Sequence, residues 1–249
     1  MKEIIQKKLE EIEKQEHVKI ILAIESGSRA WGFESADSDY DVRFIYVREP
    51  EMYLRLDTVR DVIEWQLDEV FDISGWDIKK ALQLLYKSNP TLFEWINSPI
   101  VYKETIEGRK LRELSKQYFD VMKSVMHYLN MASNTFDNYL QDKSVKLKKY
   151  FYALRPILAA KYALENKTQP PIKFNDLKDM MLEDNLKTEV NHLLELKMKS
   201  KETEYIPVVN ELNLYIKNKM QEINEQAYQL NDMRFEWDNL NKYFLKVLQ

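Results

Sequence analysis

Apolar and polar residues follow two different patterns in this chain, and the change between them falls near residue 104. Residues 2–15 place Ile and Leu at helical spacing among charged residues, which predicts an amphipathic surface helix. Residues 18–24 form a nearly continuous apolar run, which is typical of a buried strand. The chain therefore begins with a helix followed by a strand.

A strict alternation starts at Asp39 and predicts a second strand, because successive side chains of a strand point to opposite faces. One face carries Tyr40, Val42, Phe44 and Tyr46, and the other carries Asp39, Asp41, Arg43 and Ile45. Asp39 and Asp41 are therefore expected to project from the same face.

Residues 59–66 and 69–73 predict two further strands that form a hairpin, and Gly75 marks the change to a helical pattern. Most of the chain after residue 104 is helical in pattern, and Pro170 and Pro171 separate two of its segments. The predicted helical segments are residues 105–140, 144–165, 174–198 and 208–246. We therefore expect an α+β protein in which a small mixed-sheet domain, residues 1–104, precedes an all-helical domain, residues 105–249.

Composition limits the function classes. With 249 residues, of which 45% are hydrophobic, the chain can bury the cores of two small domains. Its formal net charge of −4 shows no general excess of Lys and Arg, so any contact with nucleic acid should be local. The sequence shows neither a signal-peptide pattern nor an apolar stretch of membrane-spanning length, which predicts a cytoplasmic protein without a membrane partner.

Metal chemistry is restricted by the residue types present. The chain has no cysteine, and its three histidines, His17, His127 and His192, are far apart in sequence. Both features argue against a zinc motif. A metal site would therefore use oxygen ligands and take a hard cation such as magnesium.

Gly27, Ser28 and Arg29 follow the first predicted strand directly. Only four glycines occur in the chain, and two of them lie within six residues of each other, at 27 and 32. Glycine reaches positive φ and lets a ligand approach the main chain closely. Main-chain N–H groups and the Ser28 hydroxyl of such a turn could hold the β and γ phosphates of a nucleotide, and Arg29 is a further phosphate candidate.

Asp39 and Asp41 come next and are the candidate metal ligands. Transfer of a nucleotide uses two divalent ions that stabilise the attacking and leaving oxygens, and magnesium prefers carboxylates together with phosphate oxygens and water. A third carboxylate on a neighbouring strand would complete the site, and Asp72 is our choice. Glu64 and Asp77 remain open as alternatives, since a one-residue shift of register reverses which side chains face the site.

The same residues lie within longer strings that resemble a known family. The strings are Gly27–Phe33, Asp37–Phe44, Asp72–Asp77, Ser88–Pro90 and Lys148–Pro156. Together they resemble the DNA polymerase β nucleotidyltransferase superfamily and, within it, predicted nucleotidyltransferases associated with RNA ligases. The resemblance runs from about residue 20 to residue 171 and implies a minimal polymerase-β-like catalytic domain followed by a helical domain. It also implies magnesium, the expected identity of the two ions, and a nucleoside triphosphate as ligands.

Lys148, Tyr152 and Arg155 share one face of a predicted helix, because they stand at i, i+4 and i+7. Two cations beside an aromatic ring could neutralise a triphosphate and support a base or ribose, and Lys149 could replace Lys148. The resemblance places a helix that contacts the triphosphate in this part of the chain. We therefore expect these residues to bind the nucleotide.

The expected activity is magnesium-dependent transfer of a nucleoside monophosphate from a triphosphate, with ATP as the expected donor, to a hydroxyl acceptor with release of pyrophosphate. The resemblance suggests an RNA end as acceptor, and a small alcohol, an aminoglycoside or a protein hydroxyl stays open. The alternative is a non-catalytic protein that binds a nucleotide or a partner, such as a toxin-neutralising subunit. A P-loop kinase is disfavoured because no Gly-x-x-x-x-Gly-Lys-[Ser/Thr] occurs. Base preference and oligomeric state do not follow from the sequence.

Overall fold

The computed structural model describes residues 1–68, 70–231 and 233–249. Glu69, in the predicted strand 69–73, and Asp232, in the predicted helix 208–246, lie outside the described residues. The strands are β1 Val18–Glu25, β2 Tyr40–Arg48, β3 Val62–Leu67, β4 Phe71–Asp77, β5 Val101–Glu104, β6 Ser144–Lys146 and β7 Tyr205–Pro207. The helices are α1 Lys2–Glu16, α2 Gly27–Trp31, α3 Ile78–Tyr86, α4 Pro90–Ile96, α5 Ile106–Ser115, α6 Val121–Tyr139, α7 Leu147–Asn166, α8 Phe174–Met181, α9 Asp184–Lys199, α10 Asn210–Ala227 and α11 Asp238–Val247. Short 3₁₀ helices form at Pro50–Leu54 and Lys116–Tyr118.

The chain divides into two compact units. The first comprises Met1–Ala30, Asp39–Tyr118 and Arg234–Gln249, and the second comprises Trp31–Ser38 and Phe119–Met233. This division differs from the predicted boundary at residue 104, because α5 and α11 belong to the first unit. α5 packs against β1, and the Tyr243 hydroxyl of α11 donates a 2.9 Å hydrogen bond to the carbonyl of Glu107 in α5. The division of roles between a catalytic and a nucleotide-binding domain remains a prediction.

In the described part of the first unit, five strands form one mixed sheet in the order β3-β4-β2-β1-β5. β2 and β4 are parallel, and the other neighbouring pairs are antiparallel. The predicted hairpin is present as β3 and β4, but β4 continues through Gly75 to Asp77 instead of ending at residue 73. The parallel pairing places Asp41 of β2 opposite Asp72 of β4.

The hydrophobic core of the first unit explains the alternation in β2. α1 buries one stripe of apolar residues, and β2 buries the face that was predicted to be apolar. The residues that meet in this core are Ile5, Leu9, Ile12, Val42, Phe44 and Tyr46. The opposite face of β2 is thereby left to Asp41 and Arg43, so the two predicted faces are confirmed.

Gly75 is required by its neighbour on β2. A Cβ atom at this position would lie 2.2 Å from Cε2 of the Phe44 ring, which is itself buried. We expect Gly75→Ala to lower the free energy of unfolding by about 1 to 3 kcal/mol, because a tightly packed core does not absorb an added methyl group without strain. Urea denaturation followed by tryptophan fluorescence measures the loss.

A double variant isolates this contact. Phe44→Leu removes ring atoms that would meet the new methyl group, so the double variant Phe44→Leu/Gly75→Ala should lose less stability than the two single losses together. Strict additivity of the two losses would show that the contact does not carry the effect.

The second unit is mainly helical, with two short strands that were not predicted. β6 and β7 pair as an antiparallel two-stranded sheet, and the central helix α7 is buried along most of its length. The predicted helix 105–140 is interrupted at Asp120, whose carboxylate caps α6 by accepting the N–H of Lys123 at 2.9 Å. The predicted α+β class is confirmed. No helix in the described part of the chain combines the length and apolar character needed to cross a membrane.

Candidate active site

The turn after β1 lies directly against a carboxylate of β2. The Ser26 N–H donates a 2.8 Å hydrogen bond to the carbonyl of Asp41, and Gly27 has a φ of 59°. A Cβ atom on Gly27 would lie 2.0 Å from Oδ2 of Asp41. Glycine is therefore required here for two reasons, the left-handed backbone and the close approach of the carboxylate. Ser28 follows in α2 and is buried.

Two of the three predicted metal ligands come together. Asp41 and Asp72 are register partners on the parallel strands β2 and β4, and one guanidinium bridges them. Nη2 of Arg43 lies 3.1 Å from Oδ1 of Asp41 and 2.6 Å from Oδ2 of Asp72. The parallel pairing thus gathers two carboxylates at one place on the sheet.

Asp39 immediately precedes β2, two residues before Asp41. Among residues 1–68, 70–231 and 233–249, no group of three or more His, Cys, Asp or Glu side chains is arranged to hold a metal ion. The structure therefore gathers Asp41 and Asp72 but does not arrange Asp39 with them as one three-carboxylate cluster. The roles predicted for these aspartates remain predictions.

Arg29 is held beside the start of β2. Its Nε donates a 2.9 Å hydrogen bond to the carbonyl of Asp39, and its guanidinium lies 3.9 Å from the centre of the Tyr40 ring. A planar guanidinium over an aromatic face is a favourable arrangement that restricts the side chain. A cation is thereby positioned next to Asp39 and close in sequence to the turn.

Of the alternatives for the third carboxylate, neither shares the position of Asp72. Asp77 is the N-cap of α3, where its carboxylate accepts the N–H of Lys79 at 2.7 Å and the hydroxyl of Tyr53 at 2.9 Å. Glu64 is exposed on β3 and pairs with Arg60 at 3.2 Å. The register of β4 therefore favours Asp72.

A buried glutamate, Glu25, supports Asp41 and was not identified from the sequence. Its Oε1 accepts the N–H of Asp41 at 2.9 Å, and its Oε2 accepts the hydroxyl of Tyr102. Ser98 holds the main chain of the same residue, since its hydroxyl donates a 2.5 Å hydrogen bond to the Glu25 carbonyl. The feature of the sequence that could have identified Glu25 is an acidic residue at the end of a mostly apolar strand. Glu25 therefore positions the main chain at Asp41.

Burial raises the pKa of Glu25 to about 7, against the opposing effect of the hydrogen bonds from Tyr102 and the Asp41 N–H. The nearby charge of Asp41 raises this pKa further, and that of Arg29 lowers it. A carboxyl whose pKa is raised by folding favours the folded state in its protonated form. The contribution of protonated Glu25 to the stability of the fold is complete below its ordinary pKa of 4.5. It is lost as the pH rises through about 7.

We expect Glu25→Gln to gain stability relative to the unmodified chain as the pH rises from about 4.5 to above 7, because glutamine keeps the shape without the buried charge. The gain should be on the order of 3 kcal/mol at most. Urea denaturation in a chelating buffer at several pH values across this range measures it. Glu64→Gln, at an exposed position, is the control, and parallel pH profiles for Glu25→Gln and the unmodified chain would contradict the expectation.

The three residues predicted to bind the nucleotide from α7 all lie in the second unit. Lys148 pairs with Glu202 at 2.7 Å, and Tyr152 packs edge-on against Trp31 with ring centroids 5.5 Å apart. Arg155 is buried, donates from Nε to the carbonyl of Ile172 at 3.2 Å and lies 4.4 Å from the centre of the Trp31 ring. Each of these contacts lies within the second unit, and binding of a nucleotide by the three residues remains a prediction.

The neighbouring candidate Lys149 lies 3.5 Å from the centre of the Tyr139 ring. Burial lowers its pKa, and the charges of Lys148 and Lys146 lower it further. Three lysines are thus close together at the start of α7, which concentrates positive charge there.

Comparison with known proteins identifies the family. Residues 1–246 match the model of a family described as RNA repair pathway DNA polymerase beta family. An uncharacterized protein, YcgL of Bacillus subtilis strain 168, is 43% identical over 255 residues, which cover 100% of this chain and 97% of that protein. The crystal structure of a nucleotidyltransferase-like protein from Exiguobacterium sibiricum aligns with 11% identity and a TM-score of 0.31 over 90% of this chain and 75% of that one. The resemblance noted in the sequence is confirmed: the chain belongs to the RNA repair pathway DNA polymerase beta family and is a nucleotidyltransferase.

Proposed function

We propose that this chain is a magnesium-dependent nucleotidyltransferase that moves a nucleoside monophosphate from a triphosphate to a hydroxyl at an RNA end. ATP is the expected donor, and pyrophosphate is the expected second product. Family membership supports the reaction class, and the family description supports a role in RNA repair. The chain has no general excess of positive charge, which favours recognition of an RNA end over a long strand.

One observation carries the proposal. Asp41 faces Asp72 across two parallel strands, and the Gly27 turn lies against Asp41 so closely that no side chain fits between them. The fold thus puts a potential phosphate-binding turn and two carboxylates side by side, as the reaction requires.

Magnesium fits the donor set of this pair. Carboxylate oxygens are the protein ligands that magnesium prefers, together with phosphate oxygens and water. The pair already accommodates a positive charge, since the Arg43 guanidinium contacts both carboxylates. We assign Asp39 and Asp41 to hold both ions. Asp72 would be a further ligand of the ion on the acceptor side. When bound, magnesium supplies charge stabilisation to the oxygens of the transferring phosphoryl group.

The chain's own residues position and activate the reactants. The main-chain N–H groups at Gly27 and Ser28 and the side chain of Arg29 hold the β and γ phosphates. Asp72 accepts the proton of the acceptor hydroxyl, whose oxygen then forms the new bond to the α phosphorus. The bond from the α phosphorus to the bridging oxygen breaks, and its electron pair leaves with pyrophosphate. Holding the reactants in line is the main contribution of the protein to such transfers.

The test is incubation of the purified chain with magnesium and triphosphates radiolabelled at the α phosphate, each base separately. Acceptors are short RNAs with free terminal hydroxyls, matched RNAs with blocked ends, and a panel of small alcohols and aminoglycosides. We expect label to pass to RNA with a free end, most efficiently from ATP, with one pyrophosphate released for each transfer. Transfer to none of these acceptors would reject the proposal.

A second experiment separates catalysis from nucleotide binding alone. Calorimetry with a non-hydrolysable triphosphate, with and without magnesium, reports nucleotide binding independently of the acceptor. Tight magnesium-dependent binding without transfer to any acceptor would favour the alternative of a non-catalytic partner-binding protein. Transfer to a small alcohol but not to RNA would keep the reaction class and correct the acceptor.

A further inference from the structure

Arg43 makes contacts that are more than a surface ion pair. Its Nη2 contacts the carboxylates of Asp41 and Asp72, and its Nη1 donates to the carbonyl of Asp72 at 2.7 Å and to that of Val42 at 3.2 Å. The side chain is 16% exposed. Four acceptors on two strands thus hold the guanidinium in one place.

The position of this cation follows from the sheet. Arg43 is two residues after Asp41 on the same strand, so both side chains leave the same face of β2. Parallel pairing with β4 sets Asp72 directly opposite Asp41. The carboxylates of Asp41 and Asp72 are therefore neighbours, and Arg43 is the cation that reaches both.

Two carboxylates so close together repel each other when both are ionised, and a nearby cation offsets that repulsion. Arg43 supplies one positive charge to the pair. A magnesium or manganese ion on the same oxygen atoms would supply two, at a ligand distance of about 2.1 Å. The guanidinium and such an ion compete for these carboxylates, because each uses oxygen lone pairs that the other would use and the two positive charges repel.

We propose that Arg43 is an internal counter-ion of the metal site, which bridges Asp41 and Asp72 until a divalent cation displaces it. The inference rests on the proposed function in that Asp41 and Asp72 are the ligands. Metal binding then requires the Arg43 side chain to leave the carboxylates. Arg43 lowers the affinity for the metal while it stabilises the carboxylate pair without one.

The test measures metal binding and stability, with neither nucleotide nor acceptor present. Calorimetric titration with Mn²⁺ gives the dissociation constant, and thermal unfolding in a chelator and in saturating Mn²⁺ gives the stability of each form. We expect Arg43→Gln to bind Mn²⁺ at least about fivefold more tightly than the unmodified chain. This is the lower end of the usual change in affinity when one binding event opposes another. Its unfolding temperature should fall in the chelator, and Mn²⁺ should raise it by more than in the unmodified chain.

Two further variants serve as controls for the effect of Arg43→Gln on Mn²⁺ binding. Arg60→Gln removes the same charge from an exposed pair with Glu64 and should leave the Mn²⁺ affinity unchanged. Arg43→Lys keeps the charge but not the two-armed guanidinium, so its affinity should lie between those of the unmodified chain and Arg43→Gln. It also tests the proposal should Arg43→Gln not fold.

The outcomes distinguish this inference from the proposed function. If both Arg43 variants bind Mn²⁺ no more tightly than the unmodified chain, Arg43 is not a counter-ion that competes with the metal. The metal site itself would still stand. Absence of Mn²⁺ binding in the unmodified chain would overturn both the inference and the metal-dependent part of the proposed function. Failure of nucleotidyl transfer alone would leave the Mn²⁺ comparison intact.

Discussion

Replacement of Asp41 by asparagine should lower the rate of nucleotidyl transfer by at least about a thousandfold, because it removes a charged ligand of the metal that stabilises the transferring phosphoryl group. Asparagine keeps the size of the side chain but replaces one charged oxygen with an N–H₂ group, which does not bind a hard cation. It also removes the charge that pairs with Arg43 at 3.1 Å. Single-turnover transfer from α-labelled ATP to an RNA with a free end measures the effect.

Asp37→Asn is the matched control. Asp37 is close in sequence but exposed, and its carboxylate accepts the N–H of Glu202 at 3.2 Å, a role that the asparagine oxygen can keep. Its transfer rate should stay within about twofold of the unmodified chain, as expected for surface changes. Equal loss in both variants, or full activity in Asp41→Asn, would contradict the assignment of Asp41.

Replacement of Gly27 by alanine should have the second largest effect. The new Cβ would lie 2.0 Å from Oδ2 of Asp41, so the carboxylate or the turn must move, and the φ of 59° disfavours any side chain. We expect a loss of about 1 to 3 kcal/mol of stability from the backbone strain. Displacement of the carboxylate should lower the rate of transfer by about a hundredfold.

Gly32→Ala distinguishes the effect of backbone strain from the effect of displacing the Asp41 carboxylate. Gly32 also has a positive φ, of 79°, but a Cβ atom there meets nothing within 4 Å. This variant should lose a similar amount of stability while its transfer rate stays close to that of the unmodified chain. A similar loss of rate in both variants would show that strain alone accounts for the effect of Gly27→Ala.

The local parts of the candidate site could be predicted because they depend on short periods in the sequence. An apolar run marked β1, and the alternation of β2 placed Asp41 and Arg43 on one face and the core residues on the other. The rarity of glycine identified the turn at Gly27. These inferences need only the geometry of one strand and one turn.

The contacts between distant segments could not be predicted in the same way. Asp72 was preferred over Glu64 and Asp77, but only the pairing of β2 with β4 shows which carboxylate faces Asp41. The contact of Glu25 with Tyr102 joins residues 77 positions apart, and no periodic pattern in the sequence predicts it. The bridge from Arg43 to Asp72 likewise depends on the pairing of two separate strands.

The compact units divide the chain differently from the predicted boundary for a related reason. The hydrophobic pattern of α5 and α11 is helical, which favoured a single helical region after residue 104. Which sheet or helix covers an amphipathic face depends on the whole fold, and these two helices pack within the first unit. The short strands β6 and β7 were missed because three residues are too few to establish an alternation.

The most direct test of the account is a change of metal preference at Asp41. The chain has no cysteine, so Asp41→Cys introduces a single thiol, and a thiolate favours soft ions over magnesium. The account predicts that Asp41→Cys loses transfer in Mg²⁺ and recovers part of it when Cd²⁺ is added, whereas Asp37→Cys keeps its activity in Mg²⁺ and gains nothing from Cd²⁺. Transfer by Asp41→Cys in Mg²⁺ at the rate of the unmodified chain would contradict the claim that Asp41 holds the catalytic metal.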